Sequence, residues 1–488
     1  MTLVLAIIIP FISAFFIPLL HLAKKTIPVA AIGGLGLVSI AASLAAAFSG
    51  WQSVSVSLLG GWAPDIGIVL VADRLTSAFL VLASVGSGAA LLCSLEKFRG
   101  GPWRYYSIFF LMLGAMNGIL LTGDLFNLFV FYEIFSVSAY LIVAFSMSWQ
   151  ALEAGLKYLV LGTIGALFIL LGTAFTYMST GQLNMALISE ALTGIPGETL
   201  TAISACLILG LSIKTGAFPV HFWLPDAHSS AQTAVSALLS GVVIKVSIYA
   251  LMRISYLFFL RTNVSVFAAI TIIGSLSVLG GHLMALRQDD IKRMLAYSTV
   301  AQIGYILIGV GCATAAGAVA AVFHAFNHML MKMGLFITAG SISDEKKTRE
   351  IPRMNGLWLS RPRLVVLFTV LAAAIVGIPP LNGFMSKWYL ILASAGTGGV
   401  IPALIIVAGT VISAAYYIRV IFRFFAPGDA PGKGHPQRPF SLAVAVIFAI
   451  SCAAFGLLPF TGAFRECLFS IGESATDVAG YLRAVTGG

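Results

Sequence analysis

Charged residues are scarce in this chain: Asp, Glu, Lys and Arg together make up 9% of its 488 residues. Apolar residues make up 59%, and the mean hydropathy is +1.01, which no soluble domain of this length reaches. The composition therefore excludes a soluble globular fold and indicates an integral membrane protein. The apolar runs are about 20 residues long and lack alternating polar positions, which favours helices over barrel strands.

Cysteine is also sparse, and its arrangement excludes several kinds of site. The five cysteines lie apart, with no CxxC pair or Cys/His cluster, so we expect no disulfide framework, metal site or iron–sulfur cluster. P-loop and Rossmann glycine patterns are absent as well. We therefore expect no cofactor of the chain's own, and whether it belongs to a larger enzyme stays open. The net charge of +10 does not indicate nucleic acid, because the basic residues lie in short loops between apolar runs.

Apolar runs separated by glycine, proline or charge predict an all-α polytopic protein with fourteen spans. They lie near 3–22, 27–48, 70–92, 105–123, 125–146, 155–178, 200–225, 230–257, 263–285, 293–312, 314–341, 364–395, 401–425 and 440–460. Most Lys and Arg residues lie in loops after odd-numbered spans, whereas loops after even-numbered spans hold only Arg253 and Arg261. By the positive-inside rule, both termini then face the outside. We expect a multi-pass protein of the inner or plasma membrane.

The stretch from Gly210 to Lys245 contains features that are unfavourable within a bilayer. Lys214 lies in an apolar run that Pro219 and Pro225 are expected to interrupt, and Lys245 lies midway along the next run. A lysine at the bilayer centre costs about 2.5 to 3.5 kcal/mol on insertion scales, which favours a functional role over snorkelling to the surface. A broken helix also leaves backbone groups that water or protein must satisfy, so we expect a hydrated cavity there.

Other ionisable residues extend this series. Glu133 is the only acidic residue well inside an apolar run, and Lys387 follows a second proline-containing break. His324, His328 and Lys332 occur at successive i, i+4 positions and so share one helical face. Because the protonation of a desolvated carboxyl or amine depends on its nearest partner's charge, the series predicts a proton relay. A structural ion pair or helix–helix hydrogen bond is the plain alternative for each residue alone, and haem ligation is the weaker reading of the histidines.

Two pairs of basic residues have nearly equal separations. The offset from Lys214 to Lys387 is 173 (387 − 214), and the offset from Lys245 to Arg419 is 174 (419 − 245). The spacing favours a duplicated unit of about 170 residues, as in many transporters. The prolines of the two breaks, however, do not fall at matching offsets from the lysines.

Several longer segments resemble those of one family. They include “LTGDLFNLFVFYEIF”, “EAGLKYLVLG”, “KTGAFPVHFWLPDAHSSAQTAVSALLSG”, “LRQDDIKRMLAYSTVAQIGY”, “FNHMLMKMGLF” and “GIPPLNGFMSKW”, and they span roughly residues 60 to 425. The family is that of the antiporter-like, proton-translocating membrane subunits of respiratory complex I, membrane-bound hydrogenases and Mrp-type cation/proton antiporters. The resemblance implies fourteen helices, with two inverted five-helix repeats in which helices 7 and 12 are broken. It also implies other membrane subunits and the lipid bilayer as partners, and H⁺, with Na⁺ as a candidate second ion.

The resemblance further implies roles for individual residues. Glu133 and Lys214 match the family's coupled pair, Lys245 its central lysine and Lys387 its second-half lysine. His328 and Lys332 match the bridging residues of span eleven, and Asp226 and His228 match the loop after the first break. The predicted proton relay thus consists of Glu133, Lys214, Lys245, His328, Lys332 and Lys387, with His221, Asp226, His228, His324 and Lys157 as accessory residues.

The chain also departs from the family's pattern. Gln232 and Ala234 replace prolines that members often have, which puts the entry geometry of span eight in question. “GGWAPDIGIVLVADRLTS” is most similar to the D subunit of Mrp-type antiporters, whereas “HFWLPDAH” is closer to complex I and hydrogenase members. We interpret the chain as D-like, with a proton-pumping complex I or hydrogenase subunit as the alternative. A stand-alone secondary carrier and a scaffold subunit without a working path remain open.

The predicted organisation has four parts: helices 1–3 in 1–104, a first repeat in 105–257, a second repeat in 263–425, and a last helix with a tail in 426–488.

Overall fold

The computed structural model describes residues 1–23, 27–98, 101–428 and 438–487. Within these ranges, thirteen helices are long and apolar enough to cross a membrane by length and composition, and each coincides with a predicted span. The remaining predicted span, 364–395, consists of two shorter helices. The predicted all-α polytopic fold is therefore confirmed.

The helices account for most of the described chain. In order they are α1 (Thr2–Ala23), α2 (Val29–Gln52), α3 (Arg74–Phe98), α4 (Trp103–Leu121), α5 (Leu125–Val143), α6 (Trp149–Thr180), α7 (Met185–Ala191), α8 (Gly197–Thr215), α9 (Trp223–Ser230), α10 (Thr233–Leu238), α11 (Ile244–Ile254), α12 (Val266–Leu286), α13 (Ile291–Gly311), α14 (Ala315–Lys346), α15 (Leu357–Ser360), α16 (Pro362–Val376), α17 (Asn382–Gly396), α18 (Val400–Phe425), α19 (Pro439–Leu457), α20 (Gly462–Thr476) and α21 (Val478–Thr486). The π-helical segments Leu239–Val243 and Ser255–Phe259 join α10 and α11 into one span, Thr233–Phe259.

A short hairpin precedes the third span. Strands β1 (Ser55–Leu58) and β2 (Val69–Ala72) pair antiparallel, with Ser55 opposite Ala72. The third span therefore begins at Arg74 instead of residue 70, because its first predicted residues form a strand.

The first break lies between α8 and α9. α8 ends at Thr215, and Gly216 follows with φ 69°, a left-handed conformation that glycine adopts without a steric penalty. Pro219 lies within the break, but Pro225 lies in the first turn of α9, so the prediction that both prolines interrupt the helix is corrected. A first-turn N–H has no helical partner to lose, which is why a proline fits there.

Helices α13 and α14 lie at a constant offset in residue number from α5 and α6. The starts of α5 and α13 differ by 166 (291 − 125), and the starts and the ends of α6 and α14 differ by the same number (315 − 149 and 346 − 180). Asp124 caps α5 and forms an isolated β-bridge with Asn184, while Asp290 caps α13 and bridges to Glu350 at the same offset. Helices related by this offset are five spans apart, so an odd number of successive crossings would orient them in opposite directions. The register favours the predicted inverted repeats.

The same register corrects the lysine spacing. Lys214 lies in the last turn of α8, before its break, whereas Lys387 lies in α17, after the second break. In the predicted duplicated unit the two lysines are therefore not equivalent positions, and the offset between them does not measure the length of that unit.

Several basic residues that the orientation prediction assigns to loops lie within helices, most of them near a helix end. Lys157 lies in α6, and Arg253 lies buried in α11. Other basic residues on which the orientation prediction depends lie outside the described residues, namely Lys24, Lys25, Arg99 and Lys433. The orientation of the termini stays a prediction.

The interior of the protein is formed by the middle spans. The span Thr233–Phe259 is buried along its whole length, as are most of α13 and α14, whereas α2 and α18 expose apolar side chains. The predicted relay lysines and histidines lie in or beside these buried spans. Thus the residues that are least stable in lipid are surrounded by protein.

Candidate proton-relay site

Lys214 is held by a hydroxyl group next to Glu133. Its Nζ donates a hydrogen bond to Ser136 Oγ at 2.6 Å, on the turn of α5 that follows Glu133. Glu133 is near enough for its charge to act on Lys214, and its Oε1 is buried without a hydrogen-bond partner among the described residues. A buried acceptor without a partner is unfavourable by about 1 to 3 kcal/mol. The arrangement is that of a carboxylate–lysine pair that can form when Lys214 leaves Ser136.

Lys245 connects the span Thr233–Phe259, called the central span below, to α14. Its Nζ hydrogen-bonds the Ser240 carbonyl, in a π-helical segment, and the Nδ1 atom of His328. An ammonium group has only donors, so Nδ1 accepts and the proton of the neutral imidazole lies on Nε2. That Nε2 is buried and meets no partner in the part of the chain that the structure describes. Lys245 and His328 are therefore in direct contact for proton exchange between two spans.

His324 lies one turn from His328 along α14. The buried side chains of Lys387, His324, His328, Lys245 and Lys332 are called the row below. The ring centroids of His324 and His328 are 6.4 Å apart, and the rings are nearly parallel. His324 Nδ1 pairs with Ser386 Oγ and Nε2 with Gln302 Oε1, each at 2.9 Å. The sequence ranks His324 as accessory, but the structure places it between His328 and the segment that carries Lys387.

Lys387 hydrogen-bonds the terminal carbonyl groups of α16, the half-helix that precedes the second break. Its Nζ donates to the carbonyls of Ile375 and Val376, at 3.1 and 3.0 Å, and these are the last residues of α16. Helix-terminal carbonyls have no helical partner, and a cation there also interacts favourably with the helix dipole. The ammonium lies 5.1 Å from the ring centroid of Tyr305.

Lys332 lies at the opposite end of the row from Lys387. Its Nζ donates to the Leu295 carbonyl at 2.7 Å and lies 3.4 Å from Tyr417 Oη. His324 and Lys332 are two turns apart on α14, about 12 Å along its axis. His324 therefore lies next to the second break through Ser386, whereas Lys332 lies on the far side of His328. Participation of Lys332 in a path to Lys387 stays a prediction.

Two accessory residues form a surface ion cluster. Lys157 pairs with Asp226 at 3.0 Å, and Arg293 joins the same carboxylate at 3.1 Å. The Lys157 side chain is 48% exposed, and exposed pairs contribute roughly 0 to 1 kcal/mol. The cluster connects α6, α9 and α13 at the surface, apart from the buried row.

The other two accessory residues are buried. His228 stacks on Phe336, its ring nitrogens have no hydrogen-bond partner within the described ranges, and the charges of Lys245 and Lys332 act on it. His221 packs between neighbouring aromatic rings, and none of the described residues bonds its Nδ1. His228 therefore lies beside the row, although the sequence places it in a loop.

The central span has a well-defined start although Gln232 and Ala234 stand where family members often have proline. Gln232 is the N-cap at φ −62°, close to the angle that proline enforces, and α10 begins at the next residue. Ser236 Oγ donates to the carbonyls of His228 and Gln232, at 2.8 and 3.1 Å. These contacts tie the first turn of α10 to the end of α9.

Sequence reasoning missed two buried groups. His282 lies between Tyr305 and Tyr416, and the signal that identified Glu133, an ionisable residue in an apolar run, could have found it. Arg253 Nη2 pairs with Asp73 Oδ1 at 2.6 Å, near the C-terminal end of the central span. Burial would raise the pKa of Asp73, but the Arg253 guanidinium and its hydrogen bonds hold that pKa below its usual range.

Across the described ranges, no group of three or more His, Cys, Asp or Glu side chains is placed to hold a metal ion. The row and its partners include amines, imidazoles and hydroxyls, which are groups capable of proton exchange.

Broken helices around buried ionisable side chains define a polytopic, ion-translocating type of membrane protein. Residues 122–413 match the family described as NADH:quinone oxidoreductase/Mrp antiporter, TM, and the chain belongs to this family. It is 36% identical to NADH-quinone oxidoreductase subunit N of Desulforudis audaxviator over 82% of this chain and 83% of that protein. It is 34% identical to the D subunit of the Na(+)/H(+) antiporter of Alkalihalophilus pseudofirmus over 80% of each.

A solved structure has nearly the same fold. A chain of the membrane-bound sulfane sulfur reductase, an archaeal respiratory membrane complex, matches with a TM-score of 0.93 and 31% identity over 99% of both chains. These similarities confirm the predicted family, and the chain is a multi-pass membrane protein.

Proposed function

We propose that the chain is the proton-translocating subunit of a multisubunit membrane complex, with Glu133, Lys214, Lys245, His328, His324 and Lys387 as its relay. The buried contact between Lys245 and His328 carries the proposal, because it joins two spans through groups that exchange protons. The complex is an Mrp-type Na⁺(cation)/H⁺ antiporter in which the chain takes the place of the D subunit. Other membrane subunits are its partners.

The relay is driven from the first break. When a neighbouring subunit moves Lys214 from Ser136 towards Glu133, the new partner changes the proton affinity of both groups. The altered charge acts next on Lys245, which gives a proton to His328 Nδ1, and His324 carries the charge to the Ser386–Lys387 segment. Each proton moved across 100 mV stores about 2.3 kcal/mol.

A second candidate has an observation of its own. The relative in Desulforudis audaxviator is named a subunit of an NADH-quinone oxidoreductase. The same row would then pump protons in a complex whose partners hold the redox centres. Purification through a tag on this chain separates the two: co-purifying flavin and iron–sulfur subunits identify the redox complex, and their absence from an active antiporter favours the first candidate.

Everted vesicles that contain the whole complex test the relay. We expect Lys245→Met to lower proton movement at least about a hundredfold, the scale of losing a proton-transfer group, while the complex still assembles. Proton movement is followed by a pH-sensitive dye under a Na⁺ gradient and, separately, with a respiratory substrate. The matched control is Lys347→Met, an exposed lysine at the end of α14. Wild-type rates in the Lys245 variant would refute the relay, and transport by the purified monomer would favour a stand-alone carrier.

A further inference from the structure

His282 is a buried histidine that the proposed relay does not use. It lies on α12 with no exposed surface. Its Nε2 pairs with Tyr305 Oη on α13 at 2.9 Å, and its Nδ1 pairs with Tyr416 Oη on α18 at 3.1 Å. A neutral imidazole donates from one nitrogen and accepts at the other, so it can take a proton on one side and release one on the other. These three residues are called the tyrosine–histidine bridge below.

One end of the bridge leads to Lys332. Tyr417, next to Tyr416, hydrogen-bonds Ser298 Oγ at 3.1 Å and lies 3.4 Å from the Lys332 ammonium. The two tyrosine rings are adjacent, with centroids 4.7 Å apart, and Ser298 lies within reach of the Tyr416 hydroxyl as well. Hydroxyl groups therefore continue from Lys332 to the bridge.

The other end leads to the second break. The Tyr305 ring lies 5.1 Å from the Lys387 ammonium and 5.6 Å from the ring of His324. The charges of Lys332 and Lys387 both act on His282. The bridge thus lies between Lys332 of α14 and Lys387 of α17.

The bridge is packed against a helix backbone that has no room for a side chain. A Cβ atom on Gly409 of α18 would lie 2.5 Å from Tyr305 Oη and 2.9 Å from His282 Cδ2. Glycine at this position lets α18 approach and brings the Tyr416 hydroxyl to the imidazole. The close fit fixes the donor and acceptor positions that proton transfer requires.

We propose that the tyrosine–histidine bridge is a second proton-transfer connection, between Lys332 and Lys387, parallel to the connection through His328 and His324. It rests on the proposed function and explains why Lys332 is buried away from the second break. Lys332 is then the start of a branch instead of an isolated cation.

The steps conserve protons. The Lys332 ammonium gives a proton to the Tyr417–Ser298 hydroxyls, which pass one on to Tyr416, and Tyr416 protonates His282 Nδ1. His282 then releases the proton on Nε2 to Tyr305, which passes one to the neutral Lys387 amine through one water molecule. Each hydroxyl gains and loses one proton, and one proton has moved between the lysines.

Double variants test for parallel connections, because two routes compensate for each other and their losses are not additive. We expect His282→Gln and His324→Gln each to lower proton movement about threefold, and the double variant to lower it more than about fiftyfold. A double variant no slower than His324→Gln, with His282→Gln at the wild-type rate, would overturn the proposal. So would loss of all transport in His282→Gln alone, which would mean one obligatory route.

Hydroxyl deletions separate proton transfer from packing. Tyr305→Phe and Tyr416→Phe, each combined with His324→Gln, are expected to reproduce the double-variant loss. Tyr256→Phe in the same background is the control, because it removes a buried hydroxyl that bonds the Val310 carbonyl, outside the bridge. Equal losses in all three would assign the effect to packing and overturn the proposal.

Lys245→Met in the same vesicles distinguishes the two levels of failure. If that variant is inactive while the bridge variants are neutral, the proposed function stands and the bridge fails. If Lys245→Met is active, the proposed function itself fails.

Discussion

The two broken helices hold their lysines in different ways. Lys214 precedes its break and donates to the Ser136 hydroxyl on a neighbouring helix, with the Glu133 carboxylate close by. Lys387 follows its break and donates to two backbone carbonyls of the preceding half-helix. A hydroxyl and a carboxylate can exchange as partners, whereas carbonyls at a helix end are fixed. In the proposed relay, the first break therefore acts as a switch and the second as a fixed terminus.

The duplicated register shows the same asymmetry in α5 and α13. The position equivalent to Glu133 at the constant offset is Thr299 (133 + 166), which hydrogen-bonds Ser240 in the π-helical segment of the central span at 2.8 Å. The second repeat thus has a neutral hydroxyl where the first has a carboxylate. In the proposed relay, α5 therefore holds the charge that starts proton movement, and α13 has no charge at the corresponding position.

Among the variants considered, removal of the Glu133 carboxylate should have the largest effect on the difference between the two breaks. We expect Glu133→Gln to lower proton movement about a hundredfold in everted vesicles, since Lys214 then has no charged partner to exchange with. Glu190→Gln, an exposed carboxylate on α7, is the control and should keep the wild-type rate. A fully active Glu133→Gln variant would mean that the first break is not a switch.

Replacing Lys214 and Lys387 one at a time should lower the free energy of unfolding by different amounts. Lys387→Met leaves two helix-terminal carbonyls unpaired, so we expect the free energy of unfolding to fall by about 1 to 3 kcal/mol. Lys214→Met removes one contact with a hydroxyl and should cost less. Denaturant titration of the purified complex in detergent measures both. Equal losses would contradict the assignment of Lys387 as the fixed terminus.

Removing the competing hydroxyl should give the smallest effect. Without Ser136, Lys214 is expected to stay with Glu133, which would slow the exchange about threefold, the scale of one hydrogen bond. Ser138→Ala on the same helix is matched, because that hydroxyl bonds the Ile134 carbonyl of its own helix. A Ser136→Ala variant no slower than this control would show that Ser136 does not compete with Glu133.

The sequence was sufficient for the spans and for the family, because apolar runs of about 20 residues have few other solutions. It could not give the order of the relay, since helical periodicity places His324, His328 and Lys332 on one face without saying which end meets Lys387. Asp73 and Arg253 are separated by 180 residues, and no local pattern links them. Pro225 was misread because the same residue that breaks a helix interior is tolerated in a first turn.

The fully enclosed span Thr233–Phe259 has a consequence for biosynthesis. It contains Lys245 and Arg253, whose insertion into lipid alone would cost roughly 5 to 7 kcal/mol at two cations per span. Ribosomes make Asp73 long before Arg253, so the arginine finds its carboxylate already in the membrane when it emerges. His328 is synthesised after Lys245, so the contact between the Lys245 amine and the His328 imidazole can form only after α14 has been made. Insertion of the span thus depends first on the helices made before it, and its relay contact is completed only by helices made after it.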